Sequence, residues 1–390
     1  MRRTLLKFTG GAVAVIAATA TSLVAITAYD LQRDVKPTAH LGNEASAQLP
    51  PDIGAIEGGV NLLLIGEDSG DGNTAYERDG GKLNDVNILM HIADDHSNAT
   101  VVSIPRDTFV DIPECAAGGG SYNRINAAFA AGGDGGGLAC VVATVEQMSG
   151  VSIPFAAQIG FGGVIAMSDA VGGVPVCITE PIDDDNSGAH LVAGINTLQG
   201  TDALAFLRTR YGVGDGSDWS RISNQQIFLS SLVRTLKSSE TLSNPAKLYA
   251  LAKAALSNVT LSDTLATPDR LVSIAAALKD IPFDRVNFVQ LPTLSQNVPG
   301  GGVDPTPEAE LVWQAIRDDL PINLNAAGQY VVTDPNQPVI PDPTLPDPAA
   351  PTPTPFEAPV NPATGPGSVI DLPTSVTGQT AAQNTCAAGN

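Results

Sequence analysis

Val60-Asn61-Leu62-Leu63-Leu64-Ile65-Gly66 is a continuous apolar run that ends in the acids Glu67 and Asp68. A run of this kind reads as a strand buried on both faces, because a half-exposed strand alternates apolar with polar residues. Two further strands follow. Val86-Asn87-Ile88-Leu89-Met90-His91-Ile92, entered through Asn84-Asp85, predicts the second, and Ala99-Thr100-Val101-Val102-Ser103-Ile104 the third. The short polar segment Asp94-Asp95-His96-Ser97-Asn98 between them predicts a hairpin. Pro105 stops the third strand and delivers Arg106-Asp107 where it ends. Antiparallel pairing sets the start of one strand beside the end of the next, so Asp85 and Asp107 are expected at one sheet edge.

Helical and extended patterns alternate beyond this core. Helices are expected over 138–149 with Gly150 as C-cap, 161–170, 201–210 with Thr201 as cap, and from Asp218 to about Lys237. Strands are expected over 155–159, into Cys177-Ile178 after the Gly172-Gly173 turn, and over 285–291, with helices over 245–256, 268–278 and 307–320. Such alternation predicts an α/β fold, three-layer α/β/α with a central mixed sheet. Residues 122–129, bracketed by glycine clusters, read as a short helix or loop. Asp183-Asp184-Asp185 reads as a solvated acidic loop, since the full ligand spacing of a calcium loop is missing.

Arg2, Arg3 and Lys7 precede an uncharged apolar run over 8–29. About 20 such residues span a bilayer as a helix, so one uncleaved transmembrane anchor is expected, N-terminus cytoplasmic and the rest extracytoplasmic. A cleaved signal is the competing reading. The expected organisation is an anchor over 1–29, a spacer over 30–59, a catalytic domain over 60–330 and a Pro-rich disordered tail over 331–390. The four cysteines allow three pairings; Cys115 with Cys140 is the first choice because it staples a glycine-rich loop, and Cys386 is left as an odd thiol in the tail.

A net charge of −21 argues against a nucleic-acid partner. None of the four histidines sits in a nucleophile-base arrangement, and no phosphate-binding glycine motif follows the first strand. What stands out is arginine at loop and helix ends and acids at strand ends. Guanidinium matches phosphate bidentately, and carboxylates with phosphate oxygens make a magnesium site. Arg221 and Gln225, four apart near a helix N-terminus, share a face suited to an anion.

Seven segments occur in order: 61–69, Asn84-Asp85-Val86, Ser103-Ile104-Pro105-Arg106-Asp107-Thr108, Arg124-Ile125-Asn126-Ala127-Ala128, Gly172-Gly173-Val174, Leu207-Arg208-Thr209-Arg210 and 218–226. Together they resemble the LytR-CpsA-Psr family of cell-wall glycopolymer ligases, and the chain looks most like actinobacterial members, whose polymer is often arabinogalactan. The resemblance implies a magnesium-dependent phosphotransferase, with manganese as a possible substitute. Its donor would be a glycan on a polyprenyl diphosphate, and its acceptor a sugar hydroxyl of peptidoglycan. Carried over by position, Asp68 and Asp85 would hold the metal, while Arg106, Arg208, Arg210, Arg221 and Gln225 would grip the diphosphate. Arg124 and Asp107 would support the site, with Asp107 and Asp85 as guesses for the general base. Its apolar tunnel for the lipid is expected between the sheet and the helices at 138–149 and 224–236. Gly70 stands where the family commonly has arginine, with Lys82 or Arg78 as substitutes, and Asn224 precedes Gln225-Gln226 where many members have arginine. Diphosphate hydrolysis and a non-catalytic, membrane-tethered wall-binding or regulatory role are the alternatives.

Overall fold

The computed structural model describes residues 36–42, 58–68, 83–238, 244–296, 301–328, 330–333 and 368–390. None of the described helices is long and apolar enough to cross a membrane. The expected anchor, Arg78 and Lys82 lie outside the described residues.

The apolar runs form the centre of the molecule. Strands β1 (Val60–Glu67), β2 (Asn84–Ile92) and β3 (Ala99–Ile104) pair antiparallel in the expected meander. Parallel strands flank them: β6 (Phe155–Ile159) beside β1 and β12 (Val286–Gln290) beside β3. Antiparallel edges close the seven-stranded mixed sheet, β11 (Val259–Leu261) on β6 and β18 (Gly378–Thr380) on β12.

Each face of this sheet has its own helices. Leu63, Ile65, Leu89, Val102 and Ile104 pack in one core with Leu138, Val141 and Val145 of α1 (Gly137–Ser149) and Val312, Trp313 and Ile316 of α7 (Pro307–Arg317). On the opposite face Ile88, Val101, Phe155 and Phe288 pack with Leu256 of α5 (Pro245–Asn258) and Ile274 of α6 (Pro268–Lys279). A third core lies beneath a second, four-stranded sheet of β10 (Gly194–Leu198), β7 (Val174–Ile178), β19 (Thr385–Ala387) and β16 (Val331–Thr333). Against it pack Ala203 and Phe206 of α3 (Gly200–Arg208) and Ile227 and Phe228 of α4 (Asp218–Lys237). Helix α2 (Phe161–Val171) lies beside α3 and α5.

The structure corrects four expectations. Residues 368–390 are not a disordered tail: β18 is a sheet edge, and β19 is inserted between β7 and β16. Nor is Cys386 an odd thiol, because it is bonded to Cys177, while Cys115 pairs with Cys140 as expected. These strands are too short and polar to show a period, and only their tertiary pairing makes them strands. Part of the spacer, residues 36–42, is docked as well; Ala39 is buried and its amide donates to the Leu261 carbonyl at 2.9 Å. Finally, Tyr122 lies in a strand, β5 (Ser121–Arg124), paired antiparallel with β4 (Phe109–Ile112), with helical turns following from Ile125.

Candidate active site

The site begins with an irregularity between β1 and β2. Gly66 pairs with Val86 but Glu67 pairs with Asn84, so the register skips Asp85. A bulge of this kind leaves one residue unpaired and re-aims its side chain. Gly66 permits the close approach: a Cβ there would meet the Val86 Cβ at 2.9 Å. Asp85 is thereby turned into a cavity, where Glu67 and Asp68 also stand. The Asp68 carboxylate accepts from the Leu83 amide at 3.3 Å.

Arginines converge on Asp85 from two other elements. Pro105 ends β3, and the Pro105–Thr108 turn, closed by Thr108 Oγ1 donating to the Pro105 carbonyl at 2.6 Å, projects Arg106 to Asp85, Nη1 to Oδ2 2.7 Å. Arg221 comes from the first turns of α4, whose N-cap is Ser217, accepting from the Ser220 amide at 3.4 Å. Its Nη2 donates to the Asp85 carbonyl at 3.0 Å and lies 2.5 Å from Asp218 Oδ1. One turn on, Gln225 donates to the Leu207 carbonyl at 3.2 Å. The Arg106 pKa is raised: burial opposes its charge, but Asp85, Asp218 and Asp107 outweigh that cost. Burial dominates at Arg221, which is held below the usual arginine range despite Asp218.

Arg208 and Arg210 stand at the end of α3. The Arg208 guanidinium lies over the Phe161 ring at 4.4 Å. Arg210 follows the helix and is positioned by Asp184, at the end of β8 (Ile182–Asp184), which forms a hairpin with β9 (Ala189–Leu191). Asp184 Oδ2 accepts from Thr209 Oγ1 at 2.7 Å and from the amides of Arg210 and Tyr211 at 3.2 and 3.3 Å. Burial pushes the Asp184 carboxyl up, but these bonds prevail and hold it at about 2.

Behind this charged rim the cavity is apolar. It has a volume of about 590 Å³, and its walls include Leu64 and Ile88 of the sheet, Val164 and Met167 of α2, and Leu229 and Leu232 of α4. The expected wall at α4 is present. The expected wall at α1 is not, because α1 packs on the opposite face of the sheet, and α2 and α3 take its place.

Of the sequence-predicted residues, Asp68, Asp85, Arg106, Arg208, Arg210, Arg221 and Gln225 all line this one cavity. Asp107 and Arg124 do not. They stand outside it, Asp107 between Arg106 (Nε to Oδ2 3.5 Å) and Arg124 (Nε to Oδ1 3.7 Å). Sequence reasoning missed Asp184, Glu67 and the pairing role of Asp218. The alternation Ile182 in, Asp183 out, Asp184 in was the available signal, but three consecutive aspartates masked it. Asp183, Asp185 and His190 lie together on the exposed side of the same hairpin.

A sequence profile of the LytR_cpsA_psr family matches residues 20–314. The chain belongs to this family. Among curated LytR_cpsA_psr relatives, the cell wall biosynthesis protein LcpA of Corynebacterium glutamicum is 33% identical over 278 residues, 63% of this chain and 52% of that protein. The probable cell wall biosynthesis protein LcpB of the same organism is 33% identical over 214 residues, 53% of this chain and 49% of that protein. The chain thus spans about half the length of these relatives. A polyisoprenyl-teichoic acid–peptidoglycan teichoic acid transferase, TagU of Enterococcus faecalis, is 30% identical over 47% of this chain and 56% of that one. The fold is that of Bacillus subtilis TagV (TM-score 0.54, 22% identity, 67% of this chain and 97% of that one). It is shared by the LytR-Csp2A-Psr enzyme from Actinomyces oris (TM-score 0.51, 21% identity, 66% and 89%).

Proposed function

We propose that the chain is a membrane-anchored, extracytoplasmic phosphotransferase that moves a glycopolymer from a polyprenyl diphosphate carrier onto a sugar hydroxyl of peptidoglycan. The observation that carries this reading is the joining, in one cavity, of an apolar interior with a rim of four arginines and Gln225. An apolar cavity takes the prenyl chain, and the guanidinium groups take the diphosphate at its head. The Nε–H groups of Arg106, Arg210 and Arg221 are buried and donate no hydrogen bond, donors suited to an anion. The name of TagU describes a transfer of the same class, from a polyisoprenyl-linked polymer to peptidoglycan.

The acids suit a divalent cation. Asp85 Oδ1 is buried and accepts no hydrogen bond, and Asp68 lines the same cavity. Magnesium prefers oxygen ligands, takes one or two carboxylates and completes its shell with water and phosphate, so Asp68 and Asp85 would hold it. Bound there, it would offset negative charge on the diphosphate.

In the reaction, the acceptor hydroxyl attacks the glycan-bearing phosphorus. A phosphodiester to the acceptor forms, the bond to the bridging oxygen breaks, and polyprenyl phosphate leaves. Arg106 and Arg221 are fixed by Asp85 and Asp218 before substrate arrives, so no reorganisation is needed as charge spreads over the transferring phosphoryl oxygens. The acceptor proton passes to a carboxylate, for which Asp107, outside the lipid cavity and 3.5 and 3.7 Å from Arg106 and Arg124, is better placed than Asp85, which Arg106 binds at 2.7 Å.

The test is product analysis. Purified protein with a polyprenyl diphosphate-linked glycan, a peptidoglycan acceptor and magnesium is expected to yield a sugar-linked phosphodiester and polyprenyl phosphate. Free phosphorylated glycan as the sole product would replace transfer by hydrolysis. Absence of binding and cleavage, with Arg106→Ala indistinguishable from the parent, would overturn the enzyme reading.

A further inference from the structure

The ribbon of β4 and β5 carries a surface that the donor site does not use. Its register sets Phe109 opposite Arg124 and Asp111 opposite Tyr122. Side chains at opposed and alternate positions share a face, so these four project to one side. The other side, Val110 and Ile112, is buried in the core beneath. The outward face therefore presents the exposed ring of Tyr122, backed by the half-buried Phe109, with a carboxylate and a guanidinium beside it.

Tyr122 is 57% exposed, yet it is held in place. Its hydroxyl donates to Asp304 Oδ1 at 2.7 Å, and its ring centroid lies 5.5 Å from that of Phe109. Asp304 belongs to β14 (Val303–Pro305), which pairs with β13 (Thr293–Ser295). That hairpin is joined to the ribbon by a bridge between Thr108 and Val303 and by Arg124 Nη2 donating to the Gly301 carbonyl at 2.6 Å. A ring that is both uncovered and fixed gives contact area at little entropic cost on binding. Beside carboxylates, it matches a pyranose, whose C–H face stacks on the ring while its hydroxyls donate to the acids. The same acids, Asp111 and Asp304, repel a phosphate or an anionic lipid surface.

The platform runs into the catalytic rim. Arg124 lies 3.7 Å from Asp107, Asp107 3.5 Å from Arg106, and Arg106 lines the donor cavity. Tyr122 and Arg124 are two residues apart on one strand, about 7 Å, which is the scale of a single sugar residue.

We propose that this face is the acceptor subsite: Tyr122 stacks on a sugar ring of the peptidoglycan glycan strand, Asp111, Asp304 and Arg124 take its hydroxyls, and the neighbouring sugar presents its hydroxyl at Asp107 and Arg106. The transfer step rests on the phosphotransferase reading above; the binding does not.

The two are separable by titrating the full chain with soluble, uncross-linked peptidoglycan glycan fragments in the absence of donor. The parent protein binds them, Tyr122→Ala weakens Kd about tenfold, and Tyr122→Phe, which keeps the ring, retains most of the affinity. In transfer assays the Tyr122→Ala effect falls on the acceptor KM rather than on donor affinity. Equal glycan affinity in the parent and in a Tyr122→Ala protein with an unchanged melting curve overturns the proposal, as does Tyr122-dependent binding of anionic lipid vesicles in place of glycan. Tyr122-dependent glycan binding without any phosphodiester product would leave the subsite standing and remove the phosphotransferase reading.

Discussion

Strand β1 divides its side chains between two faces of the sheet that meet opposite fates. Leu63 and Ile65 are fully buried in a core closed by α1 and α7. Leu64 and Gly66, the residues between and beside them, face a cavity of about 590 Å³ that the described residues leave open. Protein interiors are otherwise packed to the density of organic crystals, so an apolar space of that size marks a ligand surface rather than a packing fault. The closed face supplies stability, and the open face supplies the apolar wall that the proposed function assigns to the prenyl chain.

That contrast can be broken in several ways. The Cys177–Cys386 bond tethers β19 to β7 beneath α4, on the open side, and closes a span of 209 residues. On the chain-entropy account its removal by Cys386→Ser costs at most about 5 kcal/mol. Hydrogen exchange is expected to show α3 and α4 losing protection ahead of α1 and α7; simultaneous loss on both faces would erase the distinction.

Next in size is a paired truncation within β1. Ile65→Ala is expected to cost about 3 kcal/mol of unfolding free energy in urea titration, because it opens a cavity in a closed core. Leu64→Ala, which enlarges a cavity already present, is expected to cost about 1 kcal/mol and to weaken binding of long-chain prenyl diphosphates more than short ones. Equal stability losses would mean that the open face is as tightly packed as the closed one.

Arg106→Ala acts on the open side alone and is expected to lower the transfer rate about a hundredfold or more, measured by polyprenyl phosphate release. The smallest effect is that of Asp184. Its depressed pKa of about 2 means that its contribution is complete above the ordinary carboxylate range and is lost as pH falls through about 2. Asp184→Asn is expected to cost about 1 kcal/mol at neutral pH and to converge with the parent in acid. Parallel acid-unfolding curves would show that the carboxylate charge at this position does not hold the Thr209-Arg210 turn.

The meander of β1 to β3 was legible because its residues are apolar almost without interruption, a demand that only burial on both faces imposes. That Arg106, Arg208, Arg210, Arg221 and Gln225 meet in one cavity was expected from the family resemblance of their segments; the residues themselves hinted at it only through guanidinium and amide groups at strand and helix ends. Tyr122 was misread because β5 is an exposed ribbon whose stability comes from its partner rather than its own pattern. Gly378-Gln379-Thr380 and Thr385-Cys386-Ala387 were hidden for a related reason, since three polar or small residues acquire strand character only where β12 and β7 leave an edge for them. Asp184 carried the right chemistry but stood among aspartates that face solvent, and only the fold shows which of them turns inward.

The 209-residue tether also sets an order of events. Contacts so distant in sequence form late, because loop closure must precede any reward from pairing. The β1–β3 meander and its α1 cover draw on nearby segments, whereas α7 on the closed face and β19 beneath α4 on the open face both wait for residues far along the chain. The last residues of the chain are therefore a working part of the domain, and truncation before Thr385 is expected to leave β7 with an open edge beneath α4.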